Sequence, residues 1–140
     1  MESIKDQSVQ STRPAPENDF LNAARQRWQQ LAEELQADVA EFNTRRSSAD
    51  FSQLSASQFR VINLTTGLQL VITADFDART IRYDYQQVND KSAGTPEGGM
   101  LSMRQSSGGA VEFYSADEQL TSEETREILL EVLFPPEAAA

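Results

Sequence analysis

The 140-residue chain contains neither cysteine nor histidine. The first absence removes disulfide frameworks, thiolate nucleophiles, and iron–sulfur or thiolate zinc sites. The second removes the Ser-His-Asp triad, imidazole metal ligands and the side chain that titrates nearest neutral pH. Carboxylates, Lys, Arg, Tyr, Ser and Thr are left for chemistry. Carboxylates alone suffice in glycoside hydrolysis, but with so few catalytic residue types the expectation is a protein that is not an enzyme. No metal and no cofactor is expected.

Positive charge is also scarce. Twelve basic residues face 22 acidic ones, a net charge of −10, and only Lys5 and Lys91 are lysines. Binding to nucleic acid relies on clustered Lys and Arg that neutralise phosphates, so no nucleic-acid partner is expected. An anionic membrane surface is disfavoured for the same reason. Residues 1–18 hold no apolar run of secretory length, and no stretch approaches a membrane span. These features predict a cytoplasmic chain, provided that no signal peptide has been trimmed from it.

Leu, Ile, Val and Phe make up 31 of the 140 residues, a share low enough to approach disorder at this charge. They are concentrated between Asp19 and Phe134; before this stretch stand only Ile4 and Val9, and after it none. The pattern predicts a polar tail over 1–18, one domain over 19–134 and a short tail over 135–140.

Phe20, Ala24, Trp28, Leu31, Leu35, Val39 and Phe42 recur every three or four residues, one stripe of a helix over 19–43. Residues 47–58 are serine-rich and read as loop. The period then changes to two. Phe59–Thr65, Leu68–Asp75, Thr80–Gln87, Met100–Gln105 and Ala110–Ser115 read as five strands, with a long Gly/Pro loop over 88–99. A three-residue turn at 65–67 would set Leu64 opposite Leu68 and Ile62 opposite Leu70, matching apolar to apolar. It is preferred to a two-residue turn that places Asn63 opposite Leu70. Thr121-Ser122-Glu123-Glu124 opens a last helix with a capping box, whose apolar face is Ile128, Leu129, Val132 and Leu133. The predicted fold is therefore α+β: a long N-terminal helix, a five-stranded antiparallel meander and a C-terminal helix, with both helices on one face of the sheet.

Candidate sites are few. Asp75-x-Asp77, with Asp84 beyond, has the first spacing of a calcium loop. Arg79, Thr80 and Gln86 then stand where that loop needs a ligand, glycine and glutamate. Turn chemistry accounts for both aspartates. Gly98-Gly99 and Gly108-Gly109 lack the phosphate-loop pattern and open no predicted helix, so they read as turns. Trp28, Tyr83, Tyr85 and Phe113 are apolar in-facing positions that would line a pocket between sheet and helices. Arg82 lies on the opposite face from the two tyrosines. These five are the candidate partner- or ligand-binding residues.

A helix of that length spans about 37 Å, whereas five strands side by side span only about 20 Å. Surplus apolar stripe is thus predicted, with Phe20, Ala24, Leu35, Val39 and Phe42 covered by a second copy in a homodimer. The leading functional expectation is a non-catalytic protein-interaction module that binds itself and an unidentified protein. A small-ligand carrier or sensor is the alternative. A secretion-type chaperone shares the bulk properties of size, acidity and dimerisation, although the loop over 88–99 stands where such proteins have a helix.

Overall fold

The computed structural model describes residues 16–45, 48–89 and 95–134. The expected tails therefore fall largely outside the described residues, as do 46–47 and part of the loop over 88–99. Helix α1 runs Pro16–Arg45, 30 residues. It begins three residues before the expected start, at a proline whose fixed φ suits a first helical turn.

Seven antiparallel strands follow in simple sequential order, not five. They are β1 (Ala49–Ser55), β2 (Gln58–Asn63), β3 (Leu68–Asp75), β4 (Thr80–Gln87), β5 (Gly99–Gln105), β6 (Val111–Ser115) and β7 (Glu118–Gln119). Helix α2, Ser122–Leu130, is the last element among the described residues. The segment read as loop, 47–58, holds β1 because Ala49 and Phe51 turn inward while Asp50 and Ser52 turn out. Serine and glutamine between them hide that alternation. Asn43 of α1 holds the strand's start: its amide donates to the Ala49 carbonyl (2.9 Å) and accepts from the Ala49 amide (2.8 Å).

The first hairpin also differs from expectation. Asn63 pairs with Leu68, Ile62 with Gln69 and Val61 with Leu70, so the turn has four residues and neither anticipated register forms. A polar residue, Asn63, thereby takes an inward position, and its hydrogen bonds explain why. Its Nδ2 donates to the Leu133 carbonyl at 3.0 Å, while its Oδ1 accepts from the Thr65 amide at 3.0 Å. Apolar pairing survives one residue along, where Val61 meets Leu70 and Phe59 meets Ile72.

Both helices meet the sheet on its inward face. Trp28 stacks on Phe59 with ring centroids 4.1 Å apart, and Tyr85 Oη donates to the Leu129 carbonyl at 2.8 Å. The shared core holds Leu31, Leu35, Phe59, Val61, Leu70, Ile72, Ile81, Met103, Phe113, Leu129 and Leu133. The capping box of α2 is formed as its sequence implies: the Glu124 amide donates to Thr121 Oγ1 at 3.0 Å, and the Thr121 amide to Glu124 Oε1 at 2.9 Å. None of the described helices is long and apolar enough to cross a membrane.

Candidate polar cleft between helix α1 and strand β6

The four residues expected to line a pocket, Trp28, Tyr83, Tyr85 and Phe113, are instead packed into or against the core. Trp28, 2% exposed, is closed in by Phe59 and Phe76, and its Nε1 donates to the Ala56 carbonyl at 3.0 Å. Phe113 is fully buried beneath the Arg27 guanidinium, whose centre lies 4.6 Å from the ring. Tyr85 is buried and tied to α2. Burial, reinforced by Tyr83 and Glu131, pushes its hydroxyl pKa up to about 12. Tyr83 is half-buried, 6.2 Å from Tyr85 in an edge-on contact. Arg82 is exposed on the other face of the sheet, 3.9 Å from Asp84. Trp28, Tyr85 and Phe113, with Tyr83 packed against them, occupy the space between sheet and helices and serve the core.

The proposed dimer residues are likewise accounted for within one chain. Phe20, Ala24, Leu35 and Val39 are all at most 5% exposed, and Phe42 packs on Phe134 with centroids 4.1 Å apart. Among the described residues the apolar stripe is covered within the chain, by a sheet of seven strands and by Phe134 in the segment after α2. Asp75 Oδ1 accepts the Ala78 amide at 3.0 Å, the turn role expected of it. Among the described residues, no cluster of acidic side chains is arranged to hold a metal ion.

The structure instead brings together residues that pattern reading passed over. A cleft of about 670 Å³ lies between α1 and the start of β6. It is lined by Ala23, Gln26, Arg27, Gln29, Gln30 and Glu33 of the helix, by Gly109, Ala110, Val111 and Glu112, and by Ser122. Helical spacing places 23, 26, 30 and 33 along one side of α1. Gly109, at φ +95°, turns the β5–β6 hairpin in a conformation that disfavours any side chain.

Arg27 is the unusual member, a charged residue only 7% exposed. Its Nη2 donates to Ser122 Oγ at 3.0 Å, but its Nη1 has no hydrogen-bond partner. Glu34 and Glu112 approach to 3.8 and 3.9 Å, too far for hydrogen bonds. Burial holds the guanidinium pKa below its ordinary value, against the opposing pull of those two carboxylates. Beyond Glu34 the charges alternate: Arg126 stands 3.8 Å from it and donates through Nε to Asp38 at 2.8 Å. A ladder of ions thus joins β6, α1 and α2. One sequence signal marks Arg27: it follows Ala24 by three residues and precedes Leu31 by four, so it falls on the buried stripe.

Comparison with known proteins gives no match: none among protein-family models, curated proteins or solved structures.

Proposed function

We propose that the chain is a non-catalytic protein-interaction module whose partner docks in the cleft between α1 and β6. The observation that carries this reading is the cleft itself. Its exposed Gln26, Gln29, Gln30 and Glu33 are mounted on a helix whose opposite side is locked into the core. A rigid element presenting polar side chains beside an open space suits recognition. The carrier alternative has less support, since the interior that would hold a small molecule is occupied by Trp28, Tyr85 and Phe113.

Filling the cleft tests the reading. Gln30→Trp puts an indole into it, whereas Gln36→Trp places the same group on an exposed part of α1 outside it. Affinity capture from the native host is expected to recover one set of proteins with the wild type and with Gln36→Trp, and to lose it with Gln30→Trp. Thermal unfolding checks that both variants are folded. Equal recovery by all three would remove the cleft from the function.

A further inference from the structure

A second groove lies apart from the cleft, along the seam between the two helices. Helix α1 and the stretch from Ser122 to Phe134 run side by side in the same direction. Arg27 donates to Ser122, Arg126 Nε donates to Asp38 at 2.8 Å, and Phe42 packs on Phe134. The groove has a volume of about 450 Å³. Leu130 and Phe134 give it apolar walls, and Glu123, Glu127 and Glu131 line its α2 side.

The three glutamates recur every four residues, one turn apart on a single side of α2, and all are exposed. The fold does not account for them as a row. Like charges four residues apart destabilise a helix. Glu131, the C-cap residue, also sets a negative charge at the negative end of the helix dipole, in a last turn that has no basic residue. Only Glu123, in the first turn, is favourably placed. Among the described residues, no cation stands within ion-pairing distance of any of the three, since Arg126 is turned to Asp38 and Glu34. Conflicts of this kind between local preference and fold concentrate at functional sites.

We infer that this groove docks an amphipathic α-helix of a partner protein, with Lys or Arg four residues apart against Glu127 and Glu131 and an apolar side chain between Leu130 and Phe134. It is a surface beyond the cleft proposed above, and the two readings stand or fall separately. The interval of four residues repeats on an incoming helix, about 6 Å along its axis, so two basic side chains meet two carboxylates in register. The chain's net charge of −10 favours approach of a basic helix from a distance. A second copy offers no such helix: α2 carries Arg126 alone, already paired, and the exposed arginines of α1, Arg25 and Arg45, stand 20 residues apart.

The test pans the full chain against a displayed library of random peptides of about 16 residues, roughly four helical turns. Enriched peptides are expected to share Lys or Arg four residues apart with an apolar residue on the same face, and to lose binding when a central residue is replaced by proline. Glu127→Gln/Glu131→Gln should weaken a selected peptide by roughly three- to fivefold and flatten its salt dependence. Glu97→Gln/Glu118→Gln removes two exposed carboxylates outside the groove and leaves the same net charge, so it should bind as wild type does. The groove variant should also unfold at a temperature no lower than wild type. A lower midpoint would give the glutamates a structural role and overturn the inference. Equal weakening by both double variants would reduce the effect to overall charge, and enrichment without basic residues or undiminished binding of proline-containing peptides would remove the basic helix; each overturns it. Loss of binding in Gln30→Trp would move the peptide to the α1–β6 cleft, overturning this inference while supporting that reading. Full peptide binding by Gln30→Trp, together with equal recovery of host proteins, would leave the groove standing and remove the cleft.

Discussion

Among the described residues, two non-glycine residues adopt left-handed backbone, Ala116 at φ 56° and Arg79 at φ 60°. An L-residue there suffers a contact between Cβ and the backbone worth roughly 1 kcal/mol. Ala116→Gly in the β6–β7 turn is expected to raise the unfolding free energy by about 1 kcal/mol in urea titration, less the entropy that glycine adds to the unfolded chain. Arg79→Gly should yield less, because the Arg79 guanidinium lies 4.0 Å over the Phe20 ring and that contact would be lost. Tyr85 gives a pH signature. Its folded pKa, about 12, lies above the ordinary value near 10, so the neutral phenol stabilises the fold fully below pH ~10. That contribution is lost as pH rises from about 10 through about 12. Tyr85→Phe forfeits the bond to Leu129, costing about 1 kcal/mol at neutral pH, and should show a shallower decline above pH ~10 than wild type.

At the scale of elements, α2 is held at both ends by groups outside it. Its entry has the Thr121–Glu124 box and the Arg27–Ser122 bond. Its exit lends the Leu129 and Leu133 carbonyls to Tyr85 and Asn63, satisfying acceptors that a helix end or following turn leaves free. Thr121→Ala is expected to cost about 1 kcal/mol. The ion ladder contributes less than its number of charges suggests. Burial raises the Asp38 pKa, and the Arg126 charge and hydrogen bond, which lower it, do not fully compensate. Such a carboxylate contributes stability below its unfolded pKa and loses it as pH rises through the folded value. Asp38→Asn should therefore change stability by less than about 1 kcal/mol at neutral pH. Between the ordinary carboxylate range and neutrality, wild type should lose stability relative to this variant, as measured by denaturation at stepped pH. Gly98 fixes the approach of β5 to β4: a Cβ there would collide with the Tyr83 carbonyl, so Gly98→Ala must displace one strand.

For the whole molecule, the decisive change from expectation concerns α1. Its apolar stripe is spent on the chain's own core, and the helix is solvent-exposed on its glutamine- and glutamate-bearing side. Leu35→Ala is expected to cost about 2–5 kcal/mol, as a buried leucine does. Its unfolding midpoint should stay independent of protein concentration, because the lost contacts are within one chain. A midpoint that rises with concentration would restore this face to an interface between copies.

Composition and period alone determined the exclusion of cysteine and histidine chemistry, the long first helix, the capped last helix and strands β2 to β6. Each is a local property: helices and inward-facing strands repeat apolar residues at fixed spacing, and the Thr121–Glu124 box lies within one turn. Only tertiary structure decided the remainder. Strand β1 was hidden because serine and glutamine carry no strong period, and its place depends on Asn43 and β2. The first hairpin's register turned on Asn63, whose inward place rests on a carbonyl 70 residues along the chain. The cleft joins the middle of α1 to the start of β6 and the first residue of α2. Spacing along the chain fixes which residues share a face of one element, but the gap between two elements is set by how their side chains pack.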